Sequence, residues 1–311
     1  MKKISYSIAV VFAAVSLLVS SAVSTSAQTL PSLSVGMDAA GFSTGGATVA
    51  GHAGAYSLEN NVAGMSFING RMAAAASFVL WQPEYGNEKV SGAGVSVKVL
   101  EKLALGLTFK HFAYPSYNVT TESGAASRDG SFRPTEFNFA LGSSYAVTGF
   151  LSLGLTARLL HSSLAADVSA NVFGVDLAAY FRMNGISAGI SVNNLGTKAK
   201  FGENSYAQPM LAKFGAGYNL GLGQHSVFMT AETDILFSGA ATVGAGAEYS
   251  FRNLLFVRGG YHYGNARKGI VPSYASLGLG VKFFGVSIDA AYLFASSVLK
   301  NSFALSVGYA F

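Results

Sequence analysis

The chain has 311 residues, of which half are apolar, only 11% are charged and 37 are glycine. The low charge and a mean hydropathy above zero exclude an ordinary soluble domain. The net charge of +5 is small and dispersed, which argues against nucleic acid as a partner. The absence of cysteine excludes disulfides, thiolate catalysis and cysteine-type zinc sites.

The N-terminus is typical of an export signal. Lys2 and Lys3 form the charged start, residues 8–19 form an apolar run, and small residues precede a predicted cut after Ala27. The alternative, a membrane-anchor helix, is disfavoured because the run is too short. We therefore predict a signal peptide over residues 1–27 and export from the cytoplasm.

After residue 30 no run of about 20 apolar residues occurs, so helices that cross a membrane are not predicted. A transmembrane antiparallel β-barrel explains the same apolar composition, because its backbone groups pair between strands and every second side chain can be polar. Residues 28–70 are rich in glycine and too irregular for lipid-facing strands. They predict a small plug or hatch segment, or a periplasmic extension, with a short helix within residues 53–67.

Alternation of apolar and polar residues dominates residues 71–311. In the last segment, Phe303, Leu305 and Val307 share one face, and Ala304 and Ser306 share the other. The alternation predicts about 14 strands, an even number that suits a bacterial outer-membrane barrel. The predicted strands are 71–82, 89–99, 102–113, 134–147, 149–162, 169–182, 185–193, 211–220, 225–236, 239–251, 254–263, 273–283, 284–294 and 301–311.

The connections between these strands alternate in length, with longer loops at 114–133, 194–210 and 264–272. Such barrels place short turns at the periplasm and long loops outside. Loop 114–133 is rich in Ser, Thr, Gly and Asn and is predicted to be mobile. Aromatic residues gather near strand ends, as lipid–water interfaces favour, among them Trp81 and Phe112. The terminal Phe311 is interpreted as the signal for barrel assembly.

On the strands, almost all charged residues occupy the alternate positions that face away from the apolar side. They are therefore predicted to point into the lumen. Both signs are present, which favours internal pairing over an ion-selective ring, the alternative. The predicted lumen-facing residues are Lys98, Lys110, Glu136, Arg158, Asp176, Arg182, Lys213, Glu232, Asp234, Glu248, Arg258, Lys282 and Asp289.

Nothing in the sequence predicts an enzyme, a cofactor or a metal site. The five histidines lack the spacing of metal ligands, and His161 and His225 are interpreted as solvated residues at strand ends. No nucleophile and base can be paired near the rim of the barrel. No catalytic residue is therefore predicted.

An ordered series of segments resembles the PorV/PorQ family, relatives of the FadL long-chain fatty-acid transporters. It includes Arg133-Pro-Thr-Glu-Phe-Asn-Phe, Asn171-Val-Phe-Gly-Val-Asp-Leu, Ser187-Ala-Gly-Ile-Ser-Val-Asn-Asn-Leu-Gly and Phe284-Gly-Val-Ser-Ile-Asp-Ala-Ala-Tyr-Leu. The resemblance covers most of residues 30–311 and implies a FadL-like barrel of 14 strands. It departs from the family at Asn60-Asn61-Val62-Ala63-Gly64, where the family has a proline.

The resemblance also implies a function in the type IX secretion system. Members of the family bind the giant translocon barrel, accept cargo that carries a C-terminal signal domain and deliver it to a PorU-like sortase. Two alternatives stay open: a FadL-like transporter with a hydrophobic ligand, and a general diffusion porin. In each case the predicted location is the outer membrane of a Gram-negative bacterium, in contact with its lipid.

Overall fold

A computed structural model describes residues 30–120, 126–265, 271–295 and 298–311, and β-strands make up most of them. Within these ranges, no helix is both long enough and apolar enough to cross a membrane. The predicted export signal lies outside the described residues. The strands are β1 (Met72–Trp81), β2 (Glu88–Lys98), β3 (Leu103–Ala113), β4 (Tyr117–Thr120), β5 (Ala126–Phe132), β6 (Thr135–Ala146), β7 (Leu151–Ala165), β8 (Val168–Met183), β9 (Ile186–Gly196), β10 (Ala199–Phe201), β11 (Asn204–Tyr206), β12 (Leu211–Leu222), β13 (His225–Leu236), β14 (Ala241–Phe251), β15 (Leu255–Tyr263), β16 (Tyr274–Phe283), β17 (Val286–Ala295) and β18 (Phe303–Ala310).

Fourteen of these strands form one closed antiparallel barrel, so the predicted fold class is confirmed. Consecutive barrel strands pair with each other, with β3 beside β6 and β9 beside β12. The last strand returns to the first, with Ala310 opposite Ala73 and Phe303 opposite Leu80. Closure gives every barrel strand two neighbours, so no edge with unpaired backbone groups faces lipid.

The other four strands form two hairpins inside the long loops. β4 pairs with β5, and β10 pairs with β11. The first hairpin carries a Tyr117–Phe132 ring contact with 5.8 Å between centroids. The sequence did not predict these hairpins, because their polar composition hides short strands that are held by local pairing.

Side chains alternate between the two faces of the barrel wall. On β16, Leu277 and Leu279 are more than half exposed on the outer face, whereas Ser276 is 2% exposed and points inward. A charged side chain on the lipid face would cost about 2–4 kcal/mol near the bilayer midplane. The outer surface accordingly presents an apolar band, and most charges of the barrel strands lie inside, with exposed Lys89 near the long-loop end of β2 as an exception.

The connections define two ends of the barrel. At the short-turn end lie 99–102, 147–150, 184–185, 223–224, 252–254, 284–285 and the terminal Phe311. At the opposite, long-loop end lie the loops 114–134, 197–210 and 264–273. Barrels of the outer membrane direct their short turns to the periplasm, which gives the two ends their expected orientation.

Residues 30–70 fill the lumen and are called the plug below. They contain the helices α1 (Ala39–Ser43) and α2 (Ser57–Asn60) and two short 3₁₀ helices, Pro31–Leu33 and Val62–Phe67. The region predicted to hold a short helix therefore holds two short helical turns. Their shortness is consistent with the glycine, serine and asparagine residues of this segment, which have lower helix propensities than alanine or leucine.

The plug runs along the whole lumen. At the long-loop end, Leu30 is buried against Leu160 and Phe201. At the short-turn end, the amide of Arg71 donates to the carbonyl of Phe311 over 2.6 Å. The plug thus enters β1 directly beside the last residue of the barrel.

An apolar cluster joins the plug to the wall near the long-loop end. Trp81 is 4% exposed, and its ring centroid lies 5.8 Å from that of Phe42 in the plug. Phe112 is 1% exposed and belongs to the same cluster. The interpretation of Trp81 and Phe112 as interface aromatics was wrong, because clustering near strand ends does not fix which face a side chain occupies.

Candidate functional site: the plugged lumen

Cavities at two levels of the barrel are lined by the described residues. The first, here called the outer cavity, has a volume of about 170 Å³ and sits between the plug and the wall near the long-loop end. Its apolar lining includes Phe42, Trp81, Leu211, Leu236 and Tyr274. Its polar lining includes groups of the plug and of the charged strands, described below. The outer cavity is thus an apolar space with a charged floor.

The second cavity, here called the vestibule, has a volume of about 730 Å³ and opens at the short-turn end. Its lining is mostly polar and includes the basic residues Arg182, Arg252 and Lys282. Glu248 and Asp289 also line it. These features suit a water-filled space that is open at the short-turn end.

Glu59 anchors the second half of the plug, the part that contains α2, to the wall. Its carboxylate lies 2.9 Å from Arg158 and 3.3 Å from Lys110, and it accepts a hydrogen bond from Thr108. Arg158 also pairs with Asp176 at 3.0 Å. Burial alone would raise the pKa of Glu59, but the charges of Arg158 and Lys110 hold that pKa well below its usual range.

Asp176 connects this cluster to an irregular point in the wall. The register between β8 and β9 shifts near Val175, and Asn194 has a positive φ of 62°. The amide of Asn194 donates to the second oxygen of Asp176 over 2.7 Å. The Asp176 carboxylate thus takes the place of the backbone acceptor that the Asn194 amide lacks at the bulge, and in this way it seals the wall there.

Glu232 anchors the first half of the plug, the part that contains α1. One carboxylate oxygen accepts hydrogen bonds from the amides of Thr48 and Val49, both over 2.6 Å, and the other lies 2.9 Å from Lys213. Lys213 also lies 3.4 Å from Asp234. Charge-assisted hydrogen bonds to backbone amides are among the stronger ones, so this carboxylate holds the plug backbone directly.

Further contacts fix the start of the plug. Lys110 donates to the carbonyls of Ser32 and Val35 over 3.0 and 2.9 Å. Glu136 accepts from the amide of Ser32 over 3.3 Å and from Tyr114 over 3.1 Å. These side chains therefore act as partners for plug backbone rather than as a pore lining.

The remaining charges face the vestibule or its rim. Arg258 bridges Glu248 and Asp289, and Glu248 also lies 3.3 Å from His52 of the plug. Lys98 donates to the carbonyl of Ile68 over 2.7 Å. Arg182 lies over the ring of Phe67, and Lys282 lines the vestibule. Of the thirteen predicted charged residues, twelve thus contact the plug or one another, and Lys282 lines the vestibule.

Glycine lets the plug backbone approach the wall of β15. A Cβ on Gly260 would lie 2.3 Å from the nitrogen of Gly45 and 2.4 Å from the carbonyl carbon of Thr44. Gly45 itself has a φ of 68° and would place a Cβ 2.4 Å from the carbonyl oxygen of Tyr261. Only residues without a side chain fit at both positions.

Asp38 and Asn60 form a polar contact inside the plug. The Asn60 amide donates to the Asp38 carboxylate over 3.1 Å, and the other Asp38 oxygen accepts from the amide of Ala40 and caps α1. Burial and the nearby Asp289 charge raise the pKa of Asp38. Asp38 and Glu59 were not singled out from the sequence, although they are the only acids between residues 28 and 70.

Histidines and possible metal ligands show no catalytic arrangement in the described ranges. His161 and His225 are bonded to Asn171 and to the Tyr249 hydroxyl on the barrel surface. Across the described parts of the chain, no group of three or more His, Asp or Glu could hold a metal ion.

Neither a protein-family profile nor a curated protein sequence matches the chain. Solved structures match most of it. The toluene transporter TbuX of Ralstonia pickettii has a TM-score of 0.62 at 13% identity, covering 90% of this chain and 99% of its own. The toluene transporter TodX of Pseudomonas putida gives 0.62 at 13% identity, covering 89% and 99%.

A FadL homologue of Pseudomonas aeruginosa gives a TM-score of 0.56 at 14% identity, covering 92% of this chain and 100% of its own. At such low identity the likeness concerns the fold alone. Together with the closed sheet and the N-terminal plug, it shows that the chain has the FadL-like fold of outer-membrane β-barrels.

Proposed function

We propose that the protein transports small hydrophobic molecules across the outer membrane of a Gram-negative bacterium. The observation that carries this proposal is the outer cavity, which lies between the plug and the wall and has aromatic and aliphatic side chains in its lining. The long loops then face the exterior, and the short turns face the periplasm. A general diffusion porin needs a wide water channel, whereas Glu59 and Glu232 hold a plug across this lumen.

The outer cavity suits a ligand of about one aromatic ring. Its volume of about 170 Å³ is close to that of engineered apolar cavities of about 150 Å³ that bind benzene. Phe42, Trp81 and Tyr274 offer aromatic faces to such a ligand. The similar structures named as toluene transporters and as a monoaromatic hydrocarbon channel support the same size class.

Trp81 provides a direct test, because it is the only tryptophan of the chain and lines the outer cavity. We expect bromobenzene, a heavy-atom quencher, to quench the fluorescence of the purified protein in detergent along a saturable curve. Saturation reports a discrete site, whereas partitioning into the micelle gives quenching that rises linearly. A linear curve at all concentrations would contradict the proposal.

A matched pair of variants locates the ligand. Leu211→Phe adds volume at the wall of the outer cavity and should weaken the saturable quenching at least tenfold. Leu277→Phe makes the same change on the lipid face, where the side chain is 56% exposed, and should leave the curve unchanged. Equal effects of the two variants would place the quencher outside the cavity.

The secretion role implied by the family resemblance is a second proposal. It is supported by the two hairpins at the long-loop end, which present folded surface to the exterior. The second hairpin is fixed to the barrel, since Ala199 and Phe201 are buried against Leu160 and Val172 of the wall. Structured loops on a rigid barrel suit the binding of a translocon barrel, a sortase or signal-bearing cargo.

Deletion of the gene tests this second proposal. We expect cargo that carries the C-terminal signal to accumulate in the periplasm, and the protein to pull down a very large barrel or a sortase from native membranes. A matched strain that produces the protein without residues 199–206 should restore the barrel but not the export. Correct export and anchoring of cargo in the deletion strain would contradict a secretion role.

A further inference from the structure

The outer cavity and the vestibule are separated by one contact. Among the described residues, only Asp38 and Asn60 line both cavities. The two side chains meet through a single hydrogen bond of 3.1 Å. The barrier between the two spaces is therefore, at this place, one pair of side chains thick.

The two side chains belong to parts of the plug that are attached to opposite stretches of the wall. Helix α1, which follows Asp38, packs on β15, β16, β17 and β18. Helix α2, which ends at Asn60, and the 3₁₀ helix after it pack on β2, β3, β6, β7 and β8. The Asp38–Asn60 contact thus closes a slit between two parts of the plug whose helices pack on different strands.

The carboxylates that anchor the two halves of the plug are not the side chains that close the slit. Glu232 binds the amides of the first half at Thr48 and Val49, and Glu59 of the second half binds Arg158 and Lys110. In the described parts of the chain, neither Asp38 nor Asn60 forms an ion pair with the wall. The slit can therefore open by rotation of the Asn60 side chain, while both anchors and the Asp38 cap of α1 persist.

Among the described residues, the wall offers no comparable passage. Around the barrel the strands pair continuously, and the β8–β9 bulge is sealed by Asp176 and Asn194. Passage through the wall requires the separation of several backbone hydrogen bonds that lipid cannot replace. Passage through the slit requires the loss of one side-chain hydrogen bond, whose groups can turn to water in the vestibule.

We infer that a molecule bound in the outer cavity leaves the barrel downward, through the slit closed by Asp38 and Asn60, and enters the vestibule. This inference rests on the proposed transport function and names its route. Asp38 and Asn60 are then positioning residues of the pathway. The large polar vestibule is its exit chamber.

Conductance of single barrels in planar bilayers tests the route without any hydrophobic ligand. The wild-type protein should conduct ions weakly, because the slit is closed. Asn60→Ala removes the donor and part of the barrier, and we expect its conductance to rise at least fivefold. Asn69→Ala is the control, because Asn69 is an exposed asparagine that lines the vestibule alone.

Two further measurements keep the result decisive. Asn60→Ser, which is smaller than asparagine and still polar, should give an intermediate conductance, and it replaces the alanine variant if that variant does not fold. Equal conductance of the Asn60 variants, Asn69→Ala and wild type would overturn the route. Saturable Trp81 quenching by bromobenzene tests the transport function separately, so a failed route and a failed function give different results.

Discussion

Replacing Gly260 with alanine should lift the first half of the plug from the barrel wall. The new Cβ would meet backbone atoms of Thr44 and Gly45 at 2.4 and 2.3 Å, and backbone atoms cannot turn aside as a flexible side chain does. Overpacking of this kind costs about 1–3 kcal/mol. Because Glu232 holds Thr48 and Val49 only a few residues away, the strain falls on the part of the plug that contacts the wall.

The chain has no cysteine, so a single introduced cysteine reports plug displacement. Ala47 is 2% exposed, and Ala47→Cys should react slowly with a maleimide in the otherwise unchanged protein. We expect Gly260→Ala to accelerate labelling about tenfold, which corresponds to about 1.4 kcal/mol. Gly221→Ala is the matched control on β12, where a Cβ would meet no atom within 4 Å. Equal labelling in the two backgrounds would show that the close approach at Gly260 does not hold the plug.

Replacing Glu59 with glutamine should destabilise the protein more than any exposed charge does. The change leaves Lys110 and Arg158 buried with less opposite charge, although Arg158 keeps Asp176. Loss of one partner from a buried ion pair costs about 3–5 kcal/mol. Unfolding in urea, followed by Trp81 fluorescence, should give a free energy of unfolding lower by about that amount.

Glu84→Gln is the control for this experiment. Glu84 pairs with Lys300 at 3.4 Å, and both side chains are about half exposed. Pairs of this kind contribute about 0–1 kcal/mol, so the control should unfold close to wild type. Similar losses in the two variants would mean that the buried cluster does not anchor the plug.

The lowered pKa of Glu59 adds a dependence on pH. A carboxyl whose folded-state pKa is depressed stabilises the fold above its unfolded pKa of about 4.3, and the contribution is lost as the pH falls. The stability difference between wild type and Glu59→Gln should therefore be full near pH 7 and shrink below about pH 4. A difference that is constant from pH 7 to pH 3 would contradict this assignment.

The barrel could be predicted from the sequence because lipid on one side of the wall and a polar lumen on the other impose a two-residue alternation on every strand. Lipid outside and polar groups inside select opposite residue types at successive positions, so Leu277 and Ser276 reveal their faces from the sequence alone. The same parity places Arg158 and Glu232 toward the lumen. The strand count follows from the turns that interrupt the alternation.

The site could not be predicted to the same extent, because the plug makes contacts that are distant in sequence and follow no period. Glu59 meets Arg158 only after the barrel has closed around the plug. Composition nevertheless carried a usable signal: residues 28–70 contain Asp38 and Glu59 but no lysine or arginine. Such a segment beside inward-facing Lys110 and Arg158 favours pairing across the lumen.

The seam between β1 and β18 has a consequence for biogenesis. It joins the start of the sheet to its end, so the strand that completes the enclosure is the last to be synthesised. Contacts between such remote parts of a chain form slowly, since a long loop must first be closed. Before the seam closes, one side of the barrel is open, and residues 30–70 can pack against its inner surface. Closure of the β1–β18 seam is therefore expected to follow the entry of residues 30–70 into the barrel.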